Sequence, residues 1–164
     1  MPFVPIIMGS LSDIETGRAV ASRLGDFSID CEIRVASAHK APSFLLGLLQ
    51  SYEADPRTKV YVTIAGRSNA LSALVDAQVT APVIACPPYS SKFGGGDIFS
   101  SLRMPSGVAP VVVLDPKGAA LAAAKVFSLS HPEIRAQIQA AHQAMEEKVR
   151  SSDQTLRPGG EAAS

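Results

Sequence analysis

The segment Cys31–Pro42 reads Cys-Glu-Ile-Arg-Val-Ala-Ser-Ala-His-Lys-Ala-Pro and places a polar turn between an apolar run and a proline. The apolar, β-branched run Cys31–Ala36 favours a strand. After the turn, apolar residues recur at helical spacing and predict a helix over Pro42–Tyr52 that carries proline in its first turn. In an α/β protein, the turn that carries His39 and Lys40 would lie at the carboxyl edge of the sheet, where ligands usually bind.

The same strand–turn–helix pattern recurs along the rest of the chain. Further strands are predicted at Phe3–Met8, Lys59–Ala65, Pro82–Cys86 and Val108–Leu114. Helical patterns follow through Leu24 and over Ala70–Gln78, Ala119–Leu129 and His131–Arg150. About five strands that alternate with helices predict a three-layer α/β/α fold: a flavodoxin-like, doubly wound parallel sheet with an added C-terminal helix.

Length and composition indicate a single globular domain. The chain has 164 residues, 46% of them hydrophobic, and a formal net charge of zero. No basic field is available for nucleic acid, and no apolar run is long enough to span a membrane. We therefore expect a cytoplasmic protein with one domain over residues 1–150 and a flexible tail over residues 151–164, where polar, Gly, Pro and Ser residues accumulate.

Cysteine and histidine spacing gives no sign of a disulfide or a metal site. Cys31 and Cys86 lie far apart in apolar runs, which is typical of reduced, buried thiols. His39, His131 and His142 are scattered, and neither CxxC nor HxxxH occurs. We expect no metal.

The first polar turn, Gly9–Asp13 (Gly-Ser-Leu-Ser-Asp), comes directly after the first predicted strand. Backbone N–H groups at a helix start, together with two serine hydroxyls, suit a phosphate group. Ser12 or Asp13 could instead cap the next helix in an ordinary connection. The residues of this turn alone leave both interpretations open.

The second and third turns carry further candidate ligands. His39 has the side chain best suited to proton transfer near neutral pH, although it could simply cap the following helix. In the turn Gly66–Asn69 (Gly-Arg-Ser-Asn), Arg67 could bind an anion or pair with a surface carboxylate. Ser68 and Asn69 could be ligands or helix caps.

The longest irregular stretch, Pro87–Asp97, contains three consecutive glycines, Gly94–Gly96. Glycine makes this stretch permissive, so it could be a mobile loop over a site or a plain surface loop. In the predicted fold, this loop and the three polar turns gather at one edge of the sheet. They therefore predict one shared site, but they do not identify its ligand.

Five sequence motifs occur together and in order. They are Met8–Asp13 (Met-Gly-Ser-Leu-Ser-Asp), Ser37–Lys40 (Ser-Ala-His-Lys), Ala65–Asn69 (Ala-Gly-Arg-Ser-Asn), Cys86–Pro88 (Cys-Pro-Pro) and Ser100–Gly107 (Ser-Ser-Leu-Arg-Met-Pro-Ser-Gly). In combination they resemble the PurE family of purine-biosynthesis carboxylases. The resemblance extends from about Phe3 to Leu129, which is nearly the whole predicted domain.

Within that family, Lys40 and the turn Arg67–Asn69 resemble the class II branch. The resemblance implies a carboxy-lyase that carboxylates 5-aminoimidazole ribonucleotide (AIR) directly with carbon dioxide to give 4-carboxy-AIR. It also implies no ATP, biotin or metal, and a homo-octamer. One alternative is the N5-carboxyaminoimidazole ribonucleotide mutase of the other branch, which typically has Arg where Lys40 stands. An alternative of another class is a non-catalytic module that binds a phosphoribosyl ligand.

The resemblance also implies roles for individual residues. His39 would transfer the proton at ring carbon 4, and Lys40 would stabilise the new carboxylate. The substrate would be bound by Gly9, Ser10, Ser12, Asp13, Ser37, Gly66, Arg67, Ser68 and Asn69. Lys92, Asp97 and Arg103 are candidates for closing over the site or contacting a neighbouring subunit.

Overall fold

The computed structural model describes residues 1–157, except for the side chain of Lys92. The strands are β1 (Pro2–Met8), β2 (Asp30–Val35), β3 (Thr58–Lys59), β4 (Tyr61–Ile64), β5 (Val83–Ala85) and β6 (Val111–Val112). The α-helices are α1 (Ile14–Gly25), α2 (Pro42–Glu53), α3 (Ala70–Asp76), α4 (Phe99–Leu102), α5 (Pro116–Phe127) and α6 (Pro132–Leu156). Leu11–Asp13 and Lys92–Ile98 form short 3-10 segments.

All strand pairs in the described residues are parallel, in the order β2-β1-β4-β5-β6, and β3 also pairs with β1. This confirms the predicted doubly wound α/β fold. The predicted third strand is divided into β3 and β4, but Phe3 pairs with Lys59 and Ile6 pairs with Val62 at the same offset. Val60, the residue between β3 and β4, lies opposite Val4 at that offset, and the next residue of β1, Pro5, has no amide hydrogen to donate to the neighbouring strand.

Alternating residues of β1 build the two faces of the sheet. Val4, Ile6 and Met8 belong to the core that includes residues of α1, α5 and α6. Phe3 and Ile7 belong to the second core, which includes residues of α2 and α3. This period of two places the central strand between two helical layers, as expected for a parallel sheet buried on both faces.

The fifth strand and the last helix differ from their predicted boundaries. The fifth strand is only β6, two residues long, within the predicted range Val108–Leu114. Helix α6 continues to Leu156, so the predicted helix end at Arg150 is wrong and residues 151–156 are helical. No glycine or proline interrupts the helix before Pro158, and the residue before a proline, Arg157, is extended as that position favours. The remainder of the predicted tail, residues 158–164, lies outside the described residues.

Within residues 1–157, no helix combines the length and the apolar character needed to cross a lipid bilayer.

Candidate active site

A cleft of about 850 Å³ lies where β1, β2 and β4 end. Strand β1 has β2 as its neighbour on one side and β4 on the other. The strand order therefore reverses at β1, next to the cleft. Ligands of open α/β sheets bind at this position, and the volume is typical of a small-molecule site. The predicted residues that line the cleft are Gly9, Ser10, Ser12, Asp13, Ser37, His39, Lys40, Gly66, Arg67, Ser68 and Asp97.

The turn after β1 is stabilised by its own serines. The Ser10 hydroxyl accepts hydrogen bonds from the Ser12 backbone N–H (3.2 Å) and from the Ser12 hydroxyl (2.9 Å). Asp13 occupies the N-cap position of α1 but makes no side-chain capping bond. Partial burial raises the pKa of Asp13, while the Ser12 hydroxyl and the charge of Arg67 act in the opposite direction. The Asp13 carboxylate therefore faces the cleft, which also contains the Arg67 cation, and it does not cap the helix.

In the turn after β2, the Ser37 hydroxyl accepts from the Lys40 backbone N–H at 3.2 Å, and the Ser37 carbonyl accepts from Ala41 N–H at 3.0 Å. These bonds position His39 and Lys40 at the cleft, where both are exposed. Among the described residues, neither side chain has a hydrogen bond or an ion pair. His39 does not cap α2, because Ala41 holds the N-cap position and no side chain caps this helix.

In the turn after β4, the side chains of Arg67 and Ser68 are exposed at the cleft, but that of Asn69 is not. Asn69 is only 3% exposed, and its Oδ1 accepts from the backbone N–H (3.1 Å) and the hydroxyl (2.9 Å) of Ser72. Asn69 therefore caps α3 and does not present its amide to a ligand. Arg67 has a left-handed backbone, with φ of 59°.

The glycine-containing loop is a short 3-10 segment with left-handed conformations at Phe93, Gly94 and Gly95. It brings Asp97 to the cleft, where its Oδ2 accepts from Arg67 N–H at 3.1 Å. The side chain of Lys92 lies outside the described part of the structure. Arg103 is exposed and is not among the residues that line the cleft.

Further residues, which were not among the expected site residues, complete the cleft wall. They are Thr16, Ala38, Ala65, Leu71, Pro88, Tyr89 and Ser90. Thr16 lies on α1 just beyond Asp13, and Pro88 belongs to the Cys-Pro-Pro motif. Both follow the carboxyl end of a strand, and this position in the sequence was the signal that could have identified them as cleft residues. Residues 1–157 contain no group of three or more His, Cys, Asp or Glu placed to hold a metal ion.

The arrangement combines an imidazole and two cations, Lys40 and Arg67, with hydroxyls and backbone amides at strand ends. A site of this kind suits an anionic small molecule and can move a proton. Fold and site together are typical of an α/β enzyme that acts on an anionic small molecule.

Comparison with known proteins identifies the family. A family model described as AIR carboxylase matches residues 3–148. A phosphoribosylaminoimidazole carboxylase of Archaeoglobus fulgidus is 51% identical over 93% of this chain and 83% of its own length. A phosphoribosylaminoimidazole carboxylase of Treponema denticola is 48% identical over 95% of this chain and 98% of its own length. The chain belongs to the AIR carboxylase, or PurE, family.

The solved structures agree with this assignment. The crystal structure of Treponema denticola PurE superimposes with a TM-score of 0.94 at 47% identity and covers 96% of this chain and 100% of that chain. The motif-based recognition of the PurE family is thus confirmed.

Proposed function

We propose that this protein is a class II phosphoribosylaminoimidazole carboxylase, a carboxy-lyase of purine biosynthesis acting on AIR and carbon dioxide. The observation that carries the proposal is that His39 and Lys40 share one cleft with the Gly9–Asp13 turn and with Arg67. Residues 1–150 would act as a single catalytic domain in the cytoplasm.

The nucleotide would bind along the strand ends. Gly9, Ser10 and Ser12 would provide backbone N–H groups and hydroxyls for the phosphate, with Arg67 as a nearby positive charge. Ser37 already accepts from Lys40 N–H, so its own hydroxyl hydrogen would be available to a phosphate oxygen. Asp13 would accept hydrogen bonds from the ribose hydroxyls, because a carboxylate would repel a phosphate.

The chemistry requires one new C–C bond and the loss of one proton. The exocyclic amine of AIR makes ring carbon 4 electron-rich, so the ring electrons attack carbon dioxide directly. The intermediate carries both the new carboxylate and the original hydrogen at carbon 4. His39 would accept that proton, which returns the C–H electron pair to the ring and restores aromaticity. General base catalysis of this kind is typically worth about 10²–10⁴-fold in rate.

The remaining side chains would bind and orient the carboxyl group. Lys40 is a compact cation beside His39 and would stabilise the developing carboxylate. Ser68 and nearby backbone N–H groups would align carbon dioxide with carbon 4, since correct alignment lowers the barrier. The proposed steps use no ATP, biotin or metal.

The test is product formation from AIR and dissolved carbon dioxide without ATP, followed by ultraviolet absorbance. Adding carbonic anhydrase to a reaction started with bicarbonate should accelerate it, because carbon dioxide is the proposed substrate. Turnover of N5-carboxyaminoimidazole ribonucleotide, with none of AIR, would assign the protein to the mutase branch. AIR binding with no turnover of either compound would indicate a non-catalytic binding module.

We further propose a homo-oligomer, with the octamer of the family resemblance as its expected form. Only Ile134 and Ile138 of α6 are buried, yet the apolar stripe continues through exposed Met145 and Val149. An isolated helical extension of this length is marginally stable in water. The stripe therefore favours a second copy of the same chain as its packing partner.

Light scattering should give a mass several times 17.1 kDa. Met145→Glu combined with Val149→Glu should reduce that mass, whereas Glu147→Gln, on the other side of the helix, should not. A monomeric wild-type protein would contradict the proposal.

A further inference from the structure

We infer that the segment Asp97–Ser101 is a brace that holds the Gly66–Asn69 turn in its ligand-binding conformation, with Ser100 as a positioning residue for the reaction. The inference rests on the proposed function for the identity of the substrate. Ser100 and Ser101 belong to the fifth motif, and the proposed chemistry uses neither of them nor Asp97.

Hydrogen bonds connect the brace to consecutive residues of the turn. Asp97 Oδ2 accepts from Arg67 N–H at 3.1 Å. Ser100 Oγ accepts from Asn69 N–H at 3.0 Å and lies 2.8 Å from the Arg67 carbonyl oxygen, to which it donates. Ser101 Oγ accepts from Asn69 Nδ2 at 2.9 Å. The backbone on both sides of Ser68 is therefore fixed by another segment of the chain.

The conformation of the turn explains why it needs such a brace. Arg67 has φ of 59°, a left-handed conformation that is disfavoured for a residue with a Cβ atom. Without external hydrogen bonds, Arg67 would relax toward the common conformations and its side chain would leave its place at the cleft. Strain of this kind persists at functional sites only when the surrounding structure determines it.

Ser100 acts through the turn because it does not line the cleft. Its hydroxyl also lies 2.8 Å from the Asp97 carbonyl oxygen, so its single hydrogen is shared between this acceptor and the Arg67 carbonyl oxygen. Asp97, in contrast, lines the cleft itself. Ser100 is therefore the cleaner residue with which to separate positioning from direct contact with the substrate.

The first experiment compares Ser100→Ala, Ser100→Thr and the matched control Ser128→Ala. Ser128 also donates its hydroxyl to a backbone carbonyl, that of Lys125, but at the end of α5. With AIR as substrate, Ser100→Ala should lower kcat/KM by about 10–100-fold, since small misplacements of positioning groups have effects of this size. Ser100→Thr should recover most of the loss. The control Ser128→Ala should retain wild-type kinetics, although its change in Tm should be similar to that of Ser100→Ala.

A double-mutant cycle distinguishes positioning from general damage. If Ser100 acts by presenting Arg67, the further loss from Ser100→Ala should be at least threefold smaller in an Arg67→Ala background than in the wild type. Equal losses in both backgrounds would overturn the inference. Wild-type kinetics for Ser100→Ala would also overturn it.

Amide hydrogen exchange tests the brace without any activity. The Asn69 amide should exchange faster in Ser100→Ala than in the wild type. The Arg67 amide should exchange faster in Asp97→Ala than in the wild type. Unchanged exchange in both variants would overturn the brace, whatever the substrate. If the wild type turns over neither AIR nor N5-carboxyaminoimidazole ribonucleotide, the proposed function fails, and the exchange rates still decide the brace.

Discussion

The two ends of the sheet use polar residues in opposite ways. At the amino end, charged and phenolic groups are paired with one another and are partly buried. At the carboxyl end, the imidazole and ammonium groups of the cleft are exposed, and within residues 1–157 they have no partner. The same sheet thus has one end that contributes to stability and one end whose polar groups are left for a ligand.

The amino end illustrates the stabilising arrangement. Arg57 makes a two-pronged contact with Asp55, at 2.7–3.1 Å, and its guanidinium lies 3.6 Å from the centre of the Phe3 ring. Lys59 is buried and donates to the backbone carbonyls of Asp55 and Arg57. Tyr61 donates its hydroxyl to Glu53 at 2.7 Å. Buried polar groups tolerate such positions only when they are paired in this way.

The carboxyl end shows what a site requires instead. Asp13, Lys40 and Arg67 are held by short turns whose backbone bonds are satisfied, while their charged groups face the cleft. The comparison teaches that changes at the carboxyl end should alter catalysis with little loss of stability. Changes at the amino end should do the reverse. The following predictions test this separation, from the largest expected effect to the smallest.

Lys40→Ala should lower kcat/KM for AIR by about 10²-fold, because an exposed cation that stabilises a developing carboxylate contributes on this scale. Lys40→Arg retains the charge and should lose less carboxylase activity. Steady-state kinetics and thermal unfolding measure the two effects, with the exposed Lys125→Ala as control. A clear fall in Tm for Lys40→Ala would break the separation.

Arg67→Gly should weaken AIR binding about tenfold or more, because it would remove the proposed charge-assisted contact with the phosphate. The same change should raise the free energy of unfolding by up to about 1 kcal/mol, since glycine adopts the left-handed conformation without a Cβ clash. Calorimetric titration with AIR and urea unfolding provide the measurements. A less stable Arg67→Gly protein with unchanged affinity would reverse both expectations.

Arg57→Ala should lower the free energy of unfolding, because it removes the Asp55 contact and the cation–π contact with Phe3. The kinetic constants for AIR should stay at wild-type values. Arg150→Ala, which removes an exposed ion pair with Glu146, is the matched control and should change stability by less. An altered KM for Arg57→Ala would show that the two ends are coupled.

Asp55→Asn should change the acid part of the stability profile. Hydrogen bonds from Arg57 lower the pKa of Asp55 to about 2. A lowered folded-state pKa stabilises the protein above the ordinary carboxyl pKa near 4, and this contribution is lost as the pH falls toward 2. In urea unfolding, the wild type should therefore have a higher free energy of unfolding than the variant at pH 5, and this difference should become smaller by pH 2. Asp153→Asn, an exposed pair on α6, is the control.

Strand positions and site turns were predictable because their signals are local. Apolar, β-branched runs identified β1, β2, β4 and β5, and polar turns after parallel strands must meet at one edge. The cleft accordingly contains most of the expected residues. The alternatives for His39 and Asn69 needed the structure, because a cap and a ligand have the same sequence pattern.

Features that depend on distant contacts were not predictable. The interruption before β4 depends on Pro5 of a neighbouring strand. The burial of Asn69 depends on Ser101, which lies 32 residues away in sequence. The end of helix α6 was predicted too early, because the sequence of a polar, glycine-free segment is compatible with both a helix and a flexible tail.

The most direct test of the open carboxyl end is His39→Asn, with turnover and AIR affinity measured on the same preparation. Turnover should fall by about 10²–10⁴-fold, because the proton at carbon 4 would have no acceptor. AIR affinity by calorimetry should remain within about threefold, and Tm should match that of the exposed control His142→Asn. Full turnover in His39→Asn would contradict the account, because the unpaired imidazole would then have no part in the chemistry.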